Sequence, residues 1–130
     1  MMYLAGRPFG EICSLREVSS AQDVPESFLA KIFQSLVHAG IVVSHRGARG
    51  GFTLARPADE ITPAQVIEAV DGPIALNQCV VWPESCGNSA DCRMHQVWWE
   101  AQAAVLGVLG ETTFADLVCE VSDRAGRQTV

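Results

Sequence analysis

A mainly α fold is what the sequence predicts: a helix-turn-helix with a two-stranded wing, followed by a ligand loop and a long helix. Three observations predict it. An apolar stripe at helical spacing fills "DVPESFLAKIFQSLVHAG". A glycine-rich, basic hairpin, "IVVSHRGARGGFTLAR", follows directly. Three cysteines and a histidine in "NQCVVWPESCGNSADCRMHQVWWEAQ" then lead into a second apolar helical run. The 130 residues suffice for one domain with its own core and an added dimerisation element, and a hydrophobic content of 48% argues against disorder.

Taken in order, Ser14 and Glu17 stand at capping-box spacing and open a short helix from Leu15 to about Gln22. The next helix begins at Pro25, suited to a first helical position, with Glu26 complementing the helix dipole. Phe28, Leu29, Ile32, Phe33, Leu36 and Val37 form its apolar stripe, Lys31, Gln34, Ser35 and His38 lie off it, and Gly40 ends it. Ile41 to Ser44 reads as a strand, Arg46 to Gly51 as a turn, and Phe52 to Ala55 as the return strand. Thr62, Pro63 and Gln65 cap another short helix that Gly72 stops. Met94, Val97, Trp98, Ala101, Ala104, Val105, Val108 and Leu109 then recur at helical spacing, with Trp99 beside the stripe. Thr113 and Asp116, again at capping spacing, open a last short helix to about Val121.

Composition narrows the function. There is no apolar run long enough to span a bilayer, and "MMYLAGRPFGE" lacks the regions of a signal peptide, so a cytoplasmic setting without membrane contact is expected. Five cysteines, an odd number, argue against a disulfide scaffold in that setting. The net charge of −6 is unevenly spread: residues 1–57 carry six Lys/Arg against four Asp/Glu, and the remainder three against eleven. A mildly basic first half and an acidic second half point to two jobs. No Ser-His-Asp set, phosphate loop or paired carboxylate site is readable, so an enzyme is not expected.

In a helix-turn-helix the second helix enters the major groove and the wing touches backbone or minor groove. On that helix Ser27, Phe28, Lys31 and Ser35 are the candidates for groove contact. Phe28 serves either core packing or a thymine methyl. Arg46 and Arg49 at the wing tip suit phosphate or a narrow minor groove. An isolated hairpin with two arginines would read as a solvated turn; directly after a helix-turn-helix the DNA reading prevails. Gly47, Gly50 and Gly51 allow positive φ and close backbone approach there. His38 and His45 read as surface residues, His45 within reach of a phosphate.

The ligand pattern is Cys79-x6-Cys86-x5-Cys92-x2-His95. Asn77, Pro83, Gly87, Asn88 and Ser89 make the segment loop-like, so its sulfurs can converge. Cys92 and His95 share a face at the start of the long helix. Three thiolates with an imidazole suit an iron–sulfur cluster or a zinc ion. The paired C-x2-4-C spacing usual for structural zinc is absent, and no C-x-x-C redox pair occurs; thiol chemistry without a metal stays open. Cys13 and Cys119 lie in apolar, helical surroundings and read as small core residues.

Together, "VPESFLAKIFQSLVHAGIVVSHRGARGGFTLARPADEITPAQVIEAVDGP", the three-cysteine loop and "FADLV" resemble the winged-helix bacterial regulators of the IscR/NsrR/RirA type, over nearly the whole chain. The resemblance implies a homodimer built on the long helix, a double-stranded DNA operator, and one iron–sulfur cluster (2Fe–2S or 4Fe–4S) per protomer. It assigns Cys79, Cys86, Cys92 and His95 as ligands, Arg46 as the wing arginine entering the minor groove, and Ser27, Phe28 and Lys31 to the recognition helix. Such regulators carry a further basic stretch ahead of "MMYLA", the start of their first helix, from which some take a carboxylate ligand; that ligand is not expected here, which favours His95. Ala30 and Lys31 stand where IscR has Glu and Gln, so the operator preference of IscR is not carried over. The expected organisation is a winged helix-turn-helix over residues 1–73, a cluster-binding loop over 74–93, a dimerisation helix with a short C-terminal helix over 91–121, and a tail over 122–130. The expected function is transcription regulation through sensing of iron, redox state or nitric oxide. The rival is a zinc-stabilised interaction module without a sensing cluster.

Overall fold

The computed structural model describes residues 1–87 and 90–119. Helix α1 is Met2–Ala5, α2 is Leu15–Gln22 and α3 is Glu26–His38. Strands β1 (Val42–His45) and β2 (Gly51–Leu54) form the wing. Then come α4 (Pro63–Asp71), α5 (Gln78–Val81), a 3-10 turn at Pro83–Ser85, and the long α6 (Arg93–Glu111). Residues 114–119 form a last helix, α7. The expected end of α7 near Val121, the tail, Asn88 and Ser89 lie outside the described residues.

Most elements start where their caps predict. Thr62 and Gln65 make the full reciprocal box, and Thr113 and Asp116 do the same, at 3.0 and 3.2 Å. Ser14 accepts from the Glu17 N–H, but the Glu17 carboxylate turns away. It accepts instead from the Tyr3 hydroxyl at 2.5 Å and pairs with Arg7, which lies over the Tyr3 ring. This tertiary demand from α1, a helix the sequence pattern does not predict, leaves the first box half formed. Pro25 is the residue before α3, one position earlier than expected.

Leu29, Phe33 and Leu36 of α3 are buried with Leu4, Val18, Ile41, Val42, Leu54 and Ile61 in one core. Phe114 of α7 completes it, and its N–H donates to the Ile61 carbonyl. Phe28 departs from the stripe: it is 57% exposed, which removes the core-packing reading. Cys13 is buried as expected, and burial pushes its thiol pKa up. Cys119 is exposed, a correction to the core expectation: the apolar positions of α7 that reach the core are Phe114 and Leu117.

The wing is antiparallel, with register from Val42 opposite Leu54 to His45 opposite Gly51. Its free edge is covered: Cys13 and Phe52 exchange both backbone hydrogen bonds. Gly51 is required there, because a Cβ would lie 2.3 Å from the Cys13 carbonyl oxygen. At the tip, Gly47 has φ of 110° and its carbonyl accepts from Gly50, closing the turn. Phe52 stacks on Phe33 with ring centroids 4.4 Å apart, which fixes the wing against α3.

Candidate functional site

Two surfaces gather the candidate residues. The first is the outer face of α3 with the wing beside it. Ser27, Phe28 and Lys31 are exposed on α3. Ser35 is half-buried, and its hydroxyl donates to the Lys31 carbonyl, so it is partly occupied by its own helix. Arg46 and Arg49 are exposed at the wing tip, and among the described residues neither is in an ion pair. Residues missing from the sequence-based candidates also belong to this surface. Gln34 and His38 continue the row begun by Ser27 and Lys31, and with Ser44 and Phe52 they line a groove between helix and wing. The i, i+4, i+7, i+11 spacing of that row was available as a signal. His45, half-buried at the end of β1 beside the wing turn, is 2.9 Å from the hydroxyl of buried Thr53.

The second surface is a cavity of about 200 Å³ between the ligand segment and the first turns of α6. Cys79, Cys86, Cys92 and His95 all line it, with Asn77, Met94 and Trp98 among its other walls. The segment is less loop-like than its composition predicts. The helix α5 buries Cys79, and the 3-10 turn beyond it delivers Cys86. Cys92 is the residue that caps α6, and its carbonyl accepts from the His95 N–H at 3.1 Å. Cys86 and Cys92 are exposed. Among the described residues, no three His, Cys, Asp or Glu side chains are drawn close enough together to hold a metal ion. The donor set nevertheless fits a thiophilic group in kind, and all four donors line the one cavity. Its decisive feature is His95, whose Nδ1 is buried without a hydrogen-bond partner among the described residues. A buried nitrogen left unpaired is costly, and a bond to a metal would relieve that cost.

The linker into this segment is held from the other side. Gln102 of α6 is only 4% exposed, and its Oε1 accepts from the Leu76 N–H at 2.9 Å. Its Nε2 donates to the Ile74 carbonyl. Sequence reading passed over Gln102 because one polar residue at a helix position carries no signal of its partners.

An outward-facing helix after a tight turn and a wing tipped by exposed arginines define the class of this protein, a winged helix-turn-helix regulator that binds DNA. The profile of the Rrf2 family, described as an iron-dependent transcriptional regulator, matches residues 1–120, and the chain belongs to that family. Its members are transcription regulators rather than enzymes. The chain is 35% identical over 116 residues to the regulator IscR of Photorhabdus laumondii, covering 88% of this chain and 70% of that protein. It is 32% identical over 109 residues to a helix-turn-helix regulator of Aquifex aeolicus, covering 82% and 76%. Among solved structures it is similar to CymR, the global cysteine regulator of B. subtilis, with a TM-score of 0.74, 28% identity, and 92% and 87% of the two chains covered. It is also similar to T. potens IscR, with a TM-score of 0.72, 26% identity, and 92% and 79% covered. Among the described residues, no helix is long and apolar enough to cross a membrane.

Proposed function

We propose that this chain is a homodimeric transcription regulator whose DNA binding responds to an iron–sulfur cluster held by Cys79, Cys86, Cys92 and His95. The observation that carries the reading is the shared cavity: four donors from α5, the 3-10 turn and α6 line it, and the His95 Nδ1 there has no hydrogen-bond partner among the described residues. The iron-dependence in the family description and the likeness to IscR support it. When bound, such a cluster supplies iron whose ligation and charge respond to iron supply, redox state or nitric oxide.

The chain's own residues supply the rest. Cys86 and Cys92, which are exposed, would hold such a cluster together with buried Cys79 and His95, and the cluster would tie α5 to the start of α6. Along α6, Met94, Val97, Ala101, Ala104 and Val108 recur at heptad-like spacing, and Met94, Val97 and Val108 are 52%, 54% and 66% exposed. That stripe is the face for a second copy of the chain, with a coiled-coil-like seam. Order in the ligand segment passes through α6 to this seam and sets the spacing of the two α3 helices on an operator. Ser27, Phe28, Lys31 and Ser35 meet the major groove, and Arg46 and Arg49 meet backbone or minor groove. The organisation is then a DNA-binding unit over residues 1–73, a ligand segment over 74–93 and a dimer element over 91–121.

The test is an absorption spectrum of anaerobically purified protein, with iron, sulfide and zinc counted on the same sample. Visible charge-transfer bands with matching iron and sulfide are expected. Zinc in a sample that stays colourless after reconstitution would replace this reading with a zinc-stabilised module. Cys86→Ala is expected to lose iron while keeping the unfolding midpoint of the metal-free parent, since Cys86 is exposed and outside the core. Full iron occupancy in that variant would sink the ligand assignment.

A further inference from the structure

We infer that Gln102 is the positioning residue that sets Cys79 against His95 and couples the ligand cavity to the DNA-binding unit. The inference rests on the reading of the cavity as the cluster site. Three observations carry it. Gln102 is buried, and both ends of its amide are used, by the Leu76 N–H and the Ile74 carbonyl. A buried amide satisfied at both ends is a rigid joint, because losing either bond leaves a desolvated polar group. Leu76 stands three residues before Cys79, at the entrance to α5. His95, Trp98 and Gln102 follow one another at i, i+3 and i+7 on α6, and the first two line the cavity. One amide therefore fastens the strand of chain leading to Cys79 onto the helix that carries His95.

The same strand of chain leads back to α4, which packs against both α3 and α6. Movement of α6 relative to α5 is thus transmitted to the linker at Ile74 and on to the packing of α4 against α3. Without the Gln102 amide the linker slides along α6, and Cys79 loses its fixed distance from His95. Partners that orient metal ligands from outside the bonding shell typically matter by about tenfold to a hundredfold in metal affinity.

The test uses the full chain, metal-free and anaerobic, with Co²⁺ as the metal probe and iodoacetamide labelling of each cysteine followed by mass spectrometry. Gln102→Leu is expected to keep its helical circular dichroism and cooperative unfolding. Its Cys79 is expected to label about tenfold faster while Cys86 and Cys92 are unchanged, and its Co²⁺ affinity to fall about tenfold or more. Gln102→Glu keeps the acceptor for Leu76 and loses the donor for Ile74, so it should lie between; it decides the question alone if the leucine variant does not fold. Parental Cys79 protection and parental Co²⁺ affinity in the folded variants would overturn the inference, as would equal acceleration at all three thiols. A parent chain that takes no Co²⁺ defeats the cavity reading instead, and Cys79 labelling then still decides whether Gln102 holds the linker.

Discussion

Arg46 and Arg49 sit where a hairpin tip projects furthest, with no carboxylate to neutralise them among the described residues. A guanidinium that releases one counterion from DNA adds about one to the slope of log affinity against log salt. Arg46→Ala is therefore expected to weaken operator binding and reduce that slope by about one, read by fluorescence anisotropy across a salt series. An unchanged slope would remove Arg46 from the interface. Asp116 gives a residue-scale prediction about stability. The Thr113 N–H, and then its hydroxyl, hold the Asp116 carboxyl below the usual carboxylate range. A folded pKa below the unfolded one makes this cap stabilising above the ordinary aspartate range. The contribution is lost as pH falls through the lowered folded value. Asp116→Asn should then differ from the parent in urea unfolding at neutral pH and converge with it in acid. A difference that persists at the lowest pH would mean the cap does not act through charge.

At the scale of elements, the stacked pair Phe33 and Phe52 is what makes helix α3 and the wing a single reading head. Phe33 is 2% exposed in the middle of the core. Phe33→Ala is expected to cost about 3–5 kcal/mol in urea unfolding, from lost transfer energy and the cavity left behind. In whatever fraction folds, DNA affinity should fall by more than a surface substitution on α3 would cause, because the wing is no longer fixed against its helix. Parental affinity in folded Phe33→Ala would show that the wing is positioned by its backbone pairing to Cys13 alone.

For the whole molecule, α6 is the element that a single chain leaves incomplete. Of its residues only Gln102 is buried, while Val108, at 66% exposure, is the most exposed of the large apolar residues among those described. The proposed dimer seam would cover that stripe, so Val108→Glu is expected to shift sedimentation velocity from dimer toward monomer. Operator affinity should fall with it, since two half-site contacts become one. A variant that stays dimeric would move the seam to another face.

Periodicity and caps made α2, α3, α4, α6 and the wing legible in the sequence, because a helix stripe and a hairpin's glycines are local demands of backbone geometry. The four donors of the cavity were legible too, as residue types at a spacing. What the sequence by itself determined was thus the order of α2, α3, the wing, α4 and α6, the class of regulator and the candidate donor set. Only tertiary packing decided the rest. It diverted Glu17 from its cap to Tyr3 and turned Phe28 outward. It left Cys119 exposed, sent Phe114 back into the first core, and joined Gln102 to the linker before Cys79. The physical reason is the same in each case: these residues answer to partners distant in the chain, and no pattern within a few residues records which partner wins.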